Sequence, residues 1–214
     1  MKNLIFVCGG GFFLELLEYI THDIKKNHLE NIKIKGVIDD SEGLTYQNID
    51  NLGAIVDYEP KENDVFIIAL GSPVNRNKIY LALKSKGASF FTFIHSSAWI
   101  SPSAEIGEGT IVCPFVIINA NVTIAHNVAI NVYASVGHEA IIDESCVLSP
   151  YAAINGSASL GAMSFMGTRT TIFPKVNVGI KCIVDTHSYV KFDAEDKSII
   201  SLRSEYKVIK NRLI

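Results

Sequence analysis

Aliphatic residues recur at every sixth position through the second half of the chain. Counting in sixes from Ile100 to Val190 gives sixteen consecutive positions, all aliphatic or methionine, with no insertion. A second column lies four residues after each of these positions, runs from Ala104 to Ala194, and holds small or β-branched residues apart from its two cysteines. An amphipathic helix repeats near 3.6 residues and a half-buried strand near two, so neither explains this period.

Two inward-facing columns at this period predict a short strand and a tight turn in each group of six residues. Three such hexapeptides form one triangular coil, and stacked coils bury the aliphatic column, so sixteen hexapeptides give about five coils. We therefore predict a left-handed parallel β-helix over residues 96–195, followed by a C-terminal tail over 196–214. Cys146 and Cys182 fall in the small column, which makes them structural and not nucleophilic.

The first 95 residues instead alternate strand-like and helix-like segments. Leu4 to Gly11 is a candidate buried strand that enters a glycine turn, and a helix-like segment follows it. Further strand candidates are IKIKGVIDD, DVFIIALG and ASFFTFIH, with a second helix near residues 76–86. This alternation predicts an α/β domain over residues 1–95, with a Rossmann-like parallel sheet that binds ligands at the carboxyl ends of its strands. The apolar positions of the first helix are Phe13, Leu16, Leu17 and Ile20.

Polar and glycine residues at the ends of these strands form a candidate nucleotide site. The glycine turn lacks the GxGxxG spacing, so a tight turn without a ligand explains it equally well. Two aspartates end the second strand, where carboxylates can accept hydrogen bonds from a ribose or a base, although such a pair can also be merely solvated. The segment is short for an NAD-binding domain, and a mononucleotide or nucleotide-sugar suits it better. The candidate substrate-binding residues are Gly9, Gly10, Gly11, Asp39, Asp40 and Gly71.

Composition excludes several other classes of protein. The chain is 48% hydrophobic and 19% charged, which is typical of a folded globular protein. A formal net charge of −3 provides no electrostatic basis for binding nucleic acid or an anionic membrane. No apolar stretch has the length of a bilayer span. The four cysteines show no CxxC spacing, so we expect free thiols and a cytoplasmic location.

Two segments resemble a known family. The segment IHSSAWISPSAEIGEGTIV leads into the repeats, and NVYASVGHEAIIDESCVLSP lies midway along them. With the small N-terminal domain they resemble the bacterial sugar acetyltransferases of the bacillosamine N-acetyltransferase and sialic acid O-acetyltransferase (NeuD-like) group, over roughly residues 3–180. The resemblance implies a homotrimer without a metal, in which acetyl-CoA binds between adjacent β-helices. It also implies a nucleotide-linked 4-amino-4,6-dideoxy sugar as the acceptor, for glycan or O-antigen biosynthesis.

The resemblance assigns roles to three residues in the repeats. It makes His138 the general base that takes a proton from the acceptor amine or hydroxyl. Glu139 is the neighbouring acid that raises the basicity of this histidine, and Asn131 matches an asparagine one coil edge earlier. Transfer is then direct, without a covalent enzyme intermediate.

Cofactor and acceptor contacts follow from the same resemblance. Gly156 matches a glycine whose backbone amide binds the thioester oxygen, and Val147 and Thr168 are further candidate cofactor contacts. The nucleotide is assigned to the glycine turn with its acidic pair. Phe12 stands where the family usually carries a histidine that approaches the sugar, and the usual glycine-rich last coil is missing. These departures leave open which sugar is the acceptor and how CoA is held.

The six-residue register tests His138 independently of the resemblance. His138 lies between the inward-facing Val136 and Ala140, so its side chain is predicted to point outward, which excludes burial in the core. Among side chains, histidine has the ordinary pKa closest to neutrality, which suits a general base. The alternative that remains is a histidine that is merely exposed to solvent and has no catalytic role. His126 occupies the same register position two hexapeptides earlier, on a different edge of the coil, so register alone does not choose between them.

Three alternatives remain at this point. A sugar O-acetyltransferase would use the same His138 and Glu139. A non-catalytic binder of nucleotide-sugar or CoA would explain the altered last coil. A metalloenzyme of the γ-carbonic anhydrase kind needs three histidines at a subunit interface, and the H-x4-H spacing typical of that kind is missing here.

Overall fold

The computed structural model describes residues 1–41 and 49–202 of the 214-residue chain. Most of the predicted tail, residues 203–214, therefore lies outside the described residues. No helix within the two described ranges has the length and apolar character needed to cross a membrane.

The N-terminal part contains a four-stranded parallel sheet and two helices. Its elements are β1 (Lys2–Val7), α1 (Gly11–Lys25), β2 (Ile32–Ile38), β3 (Asp64–Ile68), α2 (Pro73–Ser85) and β4 (Ser89–Phe90). The strand order is β2-β1-β3-β4, and all neighbours are parallel. Because side chains alternate across a strand, α1 packs on the face that holds Leu4 and Phe6, and α2 packs on the opposite face. The predicted alternation of strands and helices is confirmed.

Residues 93–200 form a parallel β-helix of two-residue strands stacked in three sheets, here called the first, second and third faces. The first face contains β5 (Phe93–Ile94), β8 (Ile111–Val112), β11 (Ala129–Ile130), β14 (Val147–Leu148), β17 (Phe165–Met166), β20 (Ile183–Val184) and β22 (Ile199–Ile200). The second face contains β6 (Trp99–Ile100), β9 (Ile117–Ile118), β12 (Ser135–Val136), β15 (Ala153–Ile154), β18 (Thr171–Ile172) and β21 (Tyr189–Val190). The third face contains β7 (Glu105–Ile106), β10 (Thr123–Ile124), β13 (Ile141–Ile142), β16 (Ser159–Leu160) and β19 (Asn177–Val178).

Both predicted columns lie in the core. The aliphatic column from Val112 to Val190 is at most 3% exposed, and the small column is buried from Thr110 to Ser188. The small residues lie at the three corners between the faces. We call the corner between the first and second faces the first corner, that between the second and third faces the second corner, and the remaining one the third corner. At each corner, every sixth residue from Phe115 to His187 has a left-handed backbone with positive φ.

Two ends of predicted elements differ from expectation. The segment ASFFTFIH, predicted as one strand, forms two, because β4 closes the N-terminal sheet while β5 already pairs with β8 of the β-helix.

The last coil of the β-helix is two residues shorter than the preceding ones. Ala194, expected to end the small column, bridges Val178 instead, and the carboxylate of Asp193 accepts the backbone N–H of Asn177. In the preceding coils of the third face a backbone carbonyl of the next coil accepts the equivalent N–H.

Three hydroxyl groups terminate the β-helix at its N-terminal end. In later coils the N–H of the left-handed corner residue donates to a carbonyl of the preceding coil, as from Tyr133 to Pro114. At the first three of these corner positions, side-chain hydroxyls accept the N–H groups in place of backbone carbonyls. The corresponding bonds join the N–H groups of Gly109, Phe115 and Asn121 to the hydroxyls of Thr92, Ser97 and Ser103 at 3.1, 3.1 and 3.0 Å.

A buried arginine fixes α2 against the β-helix. The guanidinium of Arg76 is 0% exposed and donates to the carbonyls of Ile68, Leu70 and Asn127. The side-chain amide of Asn127 donates in return to the carbonyl of Arg76 at 3.2 Å. Burial lowers the pKa of Arg76 to about 9, so the group remains charged at neutral pH. These reciprocal bonds set the position of α2 relative to the β-helix.

Candidate functional site

A cleft of about 760 Å³ opens at the carboxyl ends of β1, β2 and β3, next to α2. Its wall includes Gly9 and Gly10 of the predicted turn and the pair Asp39 and Asp40. A Cβ atom added at Gly10 would meet no atom within 4 Å, so the turn leaves open space at the start of α1. The cleft therefore lies where the sequence predicted a nucleotide site, at the edge where parallel sheets bind ligands.

The carboxylate of Asp39 accepts hydrogen bonds from two backbone N–H groups. One of its carboxylate oxygens accepts the N–H of Gly9 at 2.6 Å, and the other accepts the N–H of Ser41 at 2.7 Å. Partial burial pushes the pKa of Asp39 upward, but these hydrogen bonds outweigh it and hold the pKa below its ordinary value. Asp40 accepts the N–H of Ile55 through one oxygen at 2.7 Å. Asp39 therefore holds the glycine turn in place, whereas Asp40 holds the segment at Ile55.

The other predicted substrate-binding residues lie around this cleft. Cys8, which was not predicted as a site residue, also lines the cleft and has a left-handed backbone. Burial, reinforced by the charges of Asp39 and Asp40, raises the pKa of its thiol to about 11. Gly11 begins α1, and Gly71 follows β3 in an exposed position. Phe12 is half-buried and packs against the core under α1. None of the last three residues is part of the cleft wall.

The second corner of the β-helix carries the predicted catalytic pair. The side chain of His138 is 67% exposed, which confirms that it points outward. Its Nδ1 lies 3.3 Å from Oε2 of Glu139. The same carboxylate oxygen accepts a hydrogen bond from the hydroxyl of Ser157 at 2.9 Å. The bond from Ser157 and then that from His138 lower the pKa of Glu139, so its carboxylate is ionised at neutral pH.

Gly156 lies directly beneath the ring of His138. A Cβ atom added at Gly156 would be 2.5 Å from Nε2 of the imidazole, so a larger residue would displace the ring. The amide N–H of Gly156 has no hydrogen-bond partner among the described residues. An unpaired amide donor on the residue beneath the imidazole could bind an oxygen where negative charge develops.

The remaining predicted residues do not lie at this corner. The side-chain amide of Asn131, at the first corner, donates to the carbonyl of Leu148 at 2.8 Å. Thr168 is half-buried at the same first corner, and Val147 is 2% exposed within β14 of the first face. His126 is half-buried at the third corner. Within one chain, therefore, only Glu139 and Gly156 of the predicted residues accompany His138.

An exposed apolar surface borders this site. On the second face Trp99, Ile117 and Tyr189 are 63%, 45% and 44% exposed. At the first corner, three exposed rings are stacked with centroids 5.0 Å apart, and the guanidinium of Arg169 lies 5.0 Å from the centroid of the last ring. The six-residue period does not reveal this stack, because its members are one whole coil apart. Counting in eighteens, one coil at a time, finds Phe115, Tyr133 and Tyr151, and it also pairs Glu139 with Ser157.

Comparison with known proteins supports the predicted resemblance at the level of sequence. No family model matches the chain. GDP-perosamine N-acetyltransferase of Escherichia coli O157:H7 is 25% identical over 107 residues, which cover 50% of this chain and 48% of that protein. An acyl-[acyl-carrier-protein]–UDP-N-acetylglucosamine O-acyltransferase of Chlamydia pneumoniae is 26% identical over 109 residues, covering 51% of this chain and 37% of that protein. The chain thus spans half or less of the length of the curated relatives it matches.

Solved structures match over nearly the whole chain. PerB from Caulobacter crescentus, in complex with CoA and GDP-perosamine, has a TM-score of 0.83 and 25% identity, and the match covers 97% of this chain and 98% of that one. The acetyltransferase domain of PglB from Neisseria gonorrhoeae, in complex with acetyl coenzyme A, has a TM-score of 0.82 and 21% identity, covering 92% and 95%. From its first strand to its last coil, the chain is similar to bacterial sugar N-acetyltransferases built on hexapeptide repeats, as the sequence predicted.

Proposed function

We propose that the chain is an acetyl-CoA-dependent N-acetyltransferase that acts on a nucleotide-linked amino sugar. The observation that carries this proposal is the second corner, where His138, backed by Glu139, lies over Gly156, whose amide has no partner among the described residues. The likeness to PerB, which binds CoA and GDP-perosamine, supports the same chemistry. A general base, an acid that orients it and an oxyanion donor are the groups that amide formation from a thioester requires.

His138 acts in this mechanism as a general base. With the Nδ1–H donating to Glu139, the lone pair on Nε2 takes a proton from the sugar amine as its nitrogen attacks the thioester carbonyl carbon. Gly156 donates its amide N–H to the tetrahedral oxyanion. The tetrahedral intermediate then collapses. The new C–N bond remains, the C–S bond breaks, and His138 returns the proton to the departing thiolate of CoA. Each proton and electron pair is thereby accounted for without a covalent enzyme intermediate.

The N-terminal cleft is proposed to hold the nucleotide. The order β2-β1-β3-β4, with α1 and α2 on opposite faces, supports a Rossmann-like domain whose switch point lies between β1 and β3. Gly10 and Asp40 line that point. Gly11, Phe12 and Gly71, which lie just outside the cleft wall, remain proposed contacts of the nucleotide-sugar. The six-residue period and three flat faces likewise support a left-handed coil.

A homotrimer would unite the predicted residues that one chain keeps apart. If three β-helices place their second faces around a common axis, the second corner of one meets the first corner of the next. His138 and Gly156 of one protomer would then face Asn131 and Thr168 of its neighbour, with acetyl-CoA between them. The exposed side chains of Trp99, Ile117 and Tyr189 on the second face support this packing, because an interface would remove their apolar surface from water.

Release of CoA thiol tests the proposed reaction. Wild-type protein is mixed with acetyl-CoA and UDP-, dTDP- or GDP-linked 4-amino sugars, alongside the matching 4-hydroxy sugars. We expect turnover with one 4-amino sugar and its loss in His138→Ala. Turnover confined to hydroxy sugars would assign O-acetylation instead. Tight nucleotide-sugar binding without any turnover would identify a binding protein and overturn the proposal.

Two isoleucines provide a matched test of the trimer. Ile117 on the second face and Ile141 on the third face occupy the same hexapeptide position and are 45% and 49% exposed. Sedimentation should show a trimer for wild type and for Ile141→Glu, and a monomer for Ile117→Glu. A trimer in both variants, or a monomeric wild type, would overturn the proposed packing.

A further inference from the structure

We propose that Ser157 is the positioning residue that holds Glu139 against His138, an inference that rests on the proposed function. Ser157 lies one full coil after Glu139, at the same corner. Nothing in the six-residue pattern distinguishes it from the other corner residues. Its contacts with the catalytic pair do.

Three hydrogen bonds join these residues in a closed circuit. The backbone N–H of Ser157 donates to the carbonyl of His138 at 2.8 Å. Its hydroxyl donates to Oε2 of Glu139 at 2.9 Å, and that oxygen lies 3.3 Å from Nδ1 of His138. Ser157 is therefore anchored by its backbone to the residue that its side chain helps to orient.

Glu139 needs such support. Its side chain is 58% exposed, and its contact with His138 is long for a charge-assisted hydrogen bond. A free glutamate on a surface samples several rotamers, and fixing it costs side-chain entropy. With both donors on one oxygen, the carboxylate is fixed between them. Its pKa is lowered most by the Ser157 bond, then by His138, with a smaller contribution from Lys175.

The consequence for catalysis lies in the tautomer of the histidine. A fixed, ionised carboxylate accepts the Nδ1–H and leaves Nε2 as the base above Gly156. Without Ser157 the carboxylate can rotate away, and the histidine loses both its orienting partner and the preference for that tautomer. We expect kcat to fall and the KM for acetyl-CoA to stay the same, because Ser157 acts through Glu139.

The test compares three replacements that all tolerate the left-handed backbone of Ser157, whose φ is 57°. Ser157→Gly removes the donor, Ser157→Asn retains one, and Ser157→Asp places a second carboxylate beside Glu139. We expect kcat to fall about tenfold in the glycine variant, to recover in the asparagine variant, and to fall furthest in the aspartate variant. Lys181→Gly, an exposed left-handed position at the third corner, is the matched control and should retain the wild-type kcat.

A second measurement is independent of activity. Carbon-13 NMR of labelled glutamate, assigned with Glu139→Gln, follows the titration of this carboxyl. Its pKa should rise in Ser157→Gly and remain low in Ser157→Asn. An unchanged titration, or equal kcat in the asparagine and aspartate variants, would overturn the role of Ser157. A wild type that is inactive but shows the expected titration would instead contradict the proposed function alone.

Discussion

The imidazole of His126 lies against the ring of Tyr80, with centroids 4.6 Å apart and planes inclined by 26°. Tyr80 belongs to α2, so the N-terminal domain covers this histidine at the third corner. His138 occupies the same position in its hexapeptide, yet no element within the described residues covers it, and it is exposed. Packing of the N-terminal domain therefore separates two histidines that the repeat makes equivalent.

This contrast predicts opposite effects for two substitutions. His126→Ala should lower the free energy of unfolding by about 1 kcal/mol through loss of the ring contact, while turnover is retained. His138→Ala should abolish turnover and leave stability within about 0.5 kcal/mol of wild type, as is usual for exposed positions. Urea unfolding at fixed protein concentration and thiol release measure the two effects. If His126→Ala loses activity to the same extent, the assignment of the base is wrong.

Two glycines at the second corner should respond differently to alanine. In Gly156→Ala the three atoms nearest to the new Cβ all belong to the imidazole of His138, which can rotate away, so the fold should persist while kcat falls about 100-fold. In Gly137→Ala the Cβ would lie 2.5 Å from the backbone nitrogen of Gly156, which cannot move without distorting the coil. We expect Gly137→Ala to destabilise by about 1–3 kcal/mol. Comparable stability of the two variants would contradict this difference.

The hydroxyl groups at the start of the β-helix should contribute to its stability. Ser97→Ala and Ser103→Ala each leave the N–H of a corner residue without a partner, at a cost of about 1 kcal/mol. Because they lie at different corners, their effects should add in the double variant. Ser89→Ala, an exposed serine without a side-chain hydrogen bond among the described residues, is the control. Urea denaturation compares the four variants with wild type, and no loss of stability in the double variant would contradict the capping role.

Asp39→Asn should show a pH-dependent loss of stability. Hydrogen bonds to Gly9 and Ser41 lower the pKa of Asp39 in the folded state, so its contribution is fully present above the ordinary carboxyl pKa of about 4. The contribution is lost as the pH falls through the lowered folded pKa. Wild type should therefore exceed Asp39→Asn by about 1–2 kcal/mol at pH 7, and the two should converge in acid. Urea unfolding over a pH series measures this gap, and a gap independent of pH would refute it.

The sequence predicted those features that depend on local repetition. The inward columns, the outward direction of His138 and the core positions of Cys146 and Cys182 all follow from a six-residue count, because each coil position repeats its burial. Contacts between distant segments left no comparable signal. The hydrogen bond between Asp39 and Gly9 joins residues that are 30 positions apart in the sequence. The ring that packs on His126 belongs to α2. The shortened last coil depends on Asp193 replacing a backbone acceptor, which no periodicity reveals.

The length of one coil also decides which insertions the site can survive. Glu139 and Ser157 are 18 residues apart, one turn around the three faces. Six extra residues between them would keep every inward column intact and yet carry Ser157 to another edge of the prism. Eighteen extra residues would return Ser157 to the edge that holds Glu139, but two coils away from it instead of one. A β-helix of this kind can therefore lengthen by whole coils above or below the pair, and never between its two members.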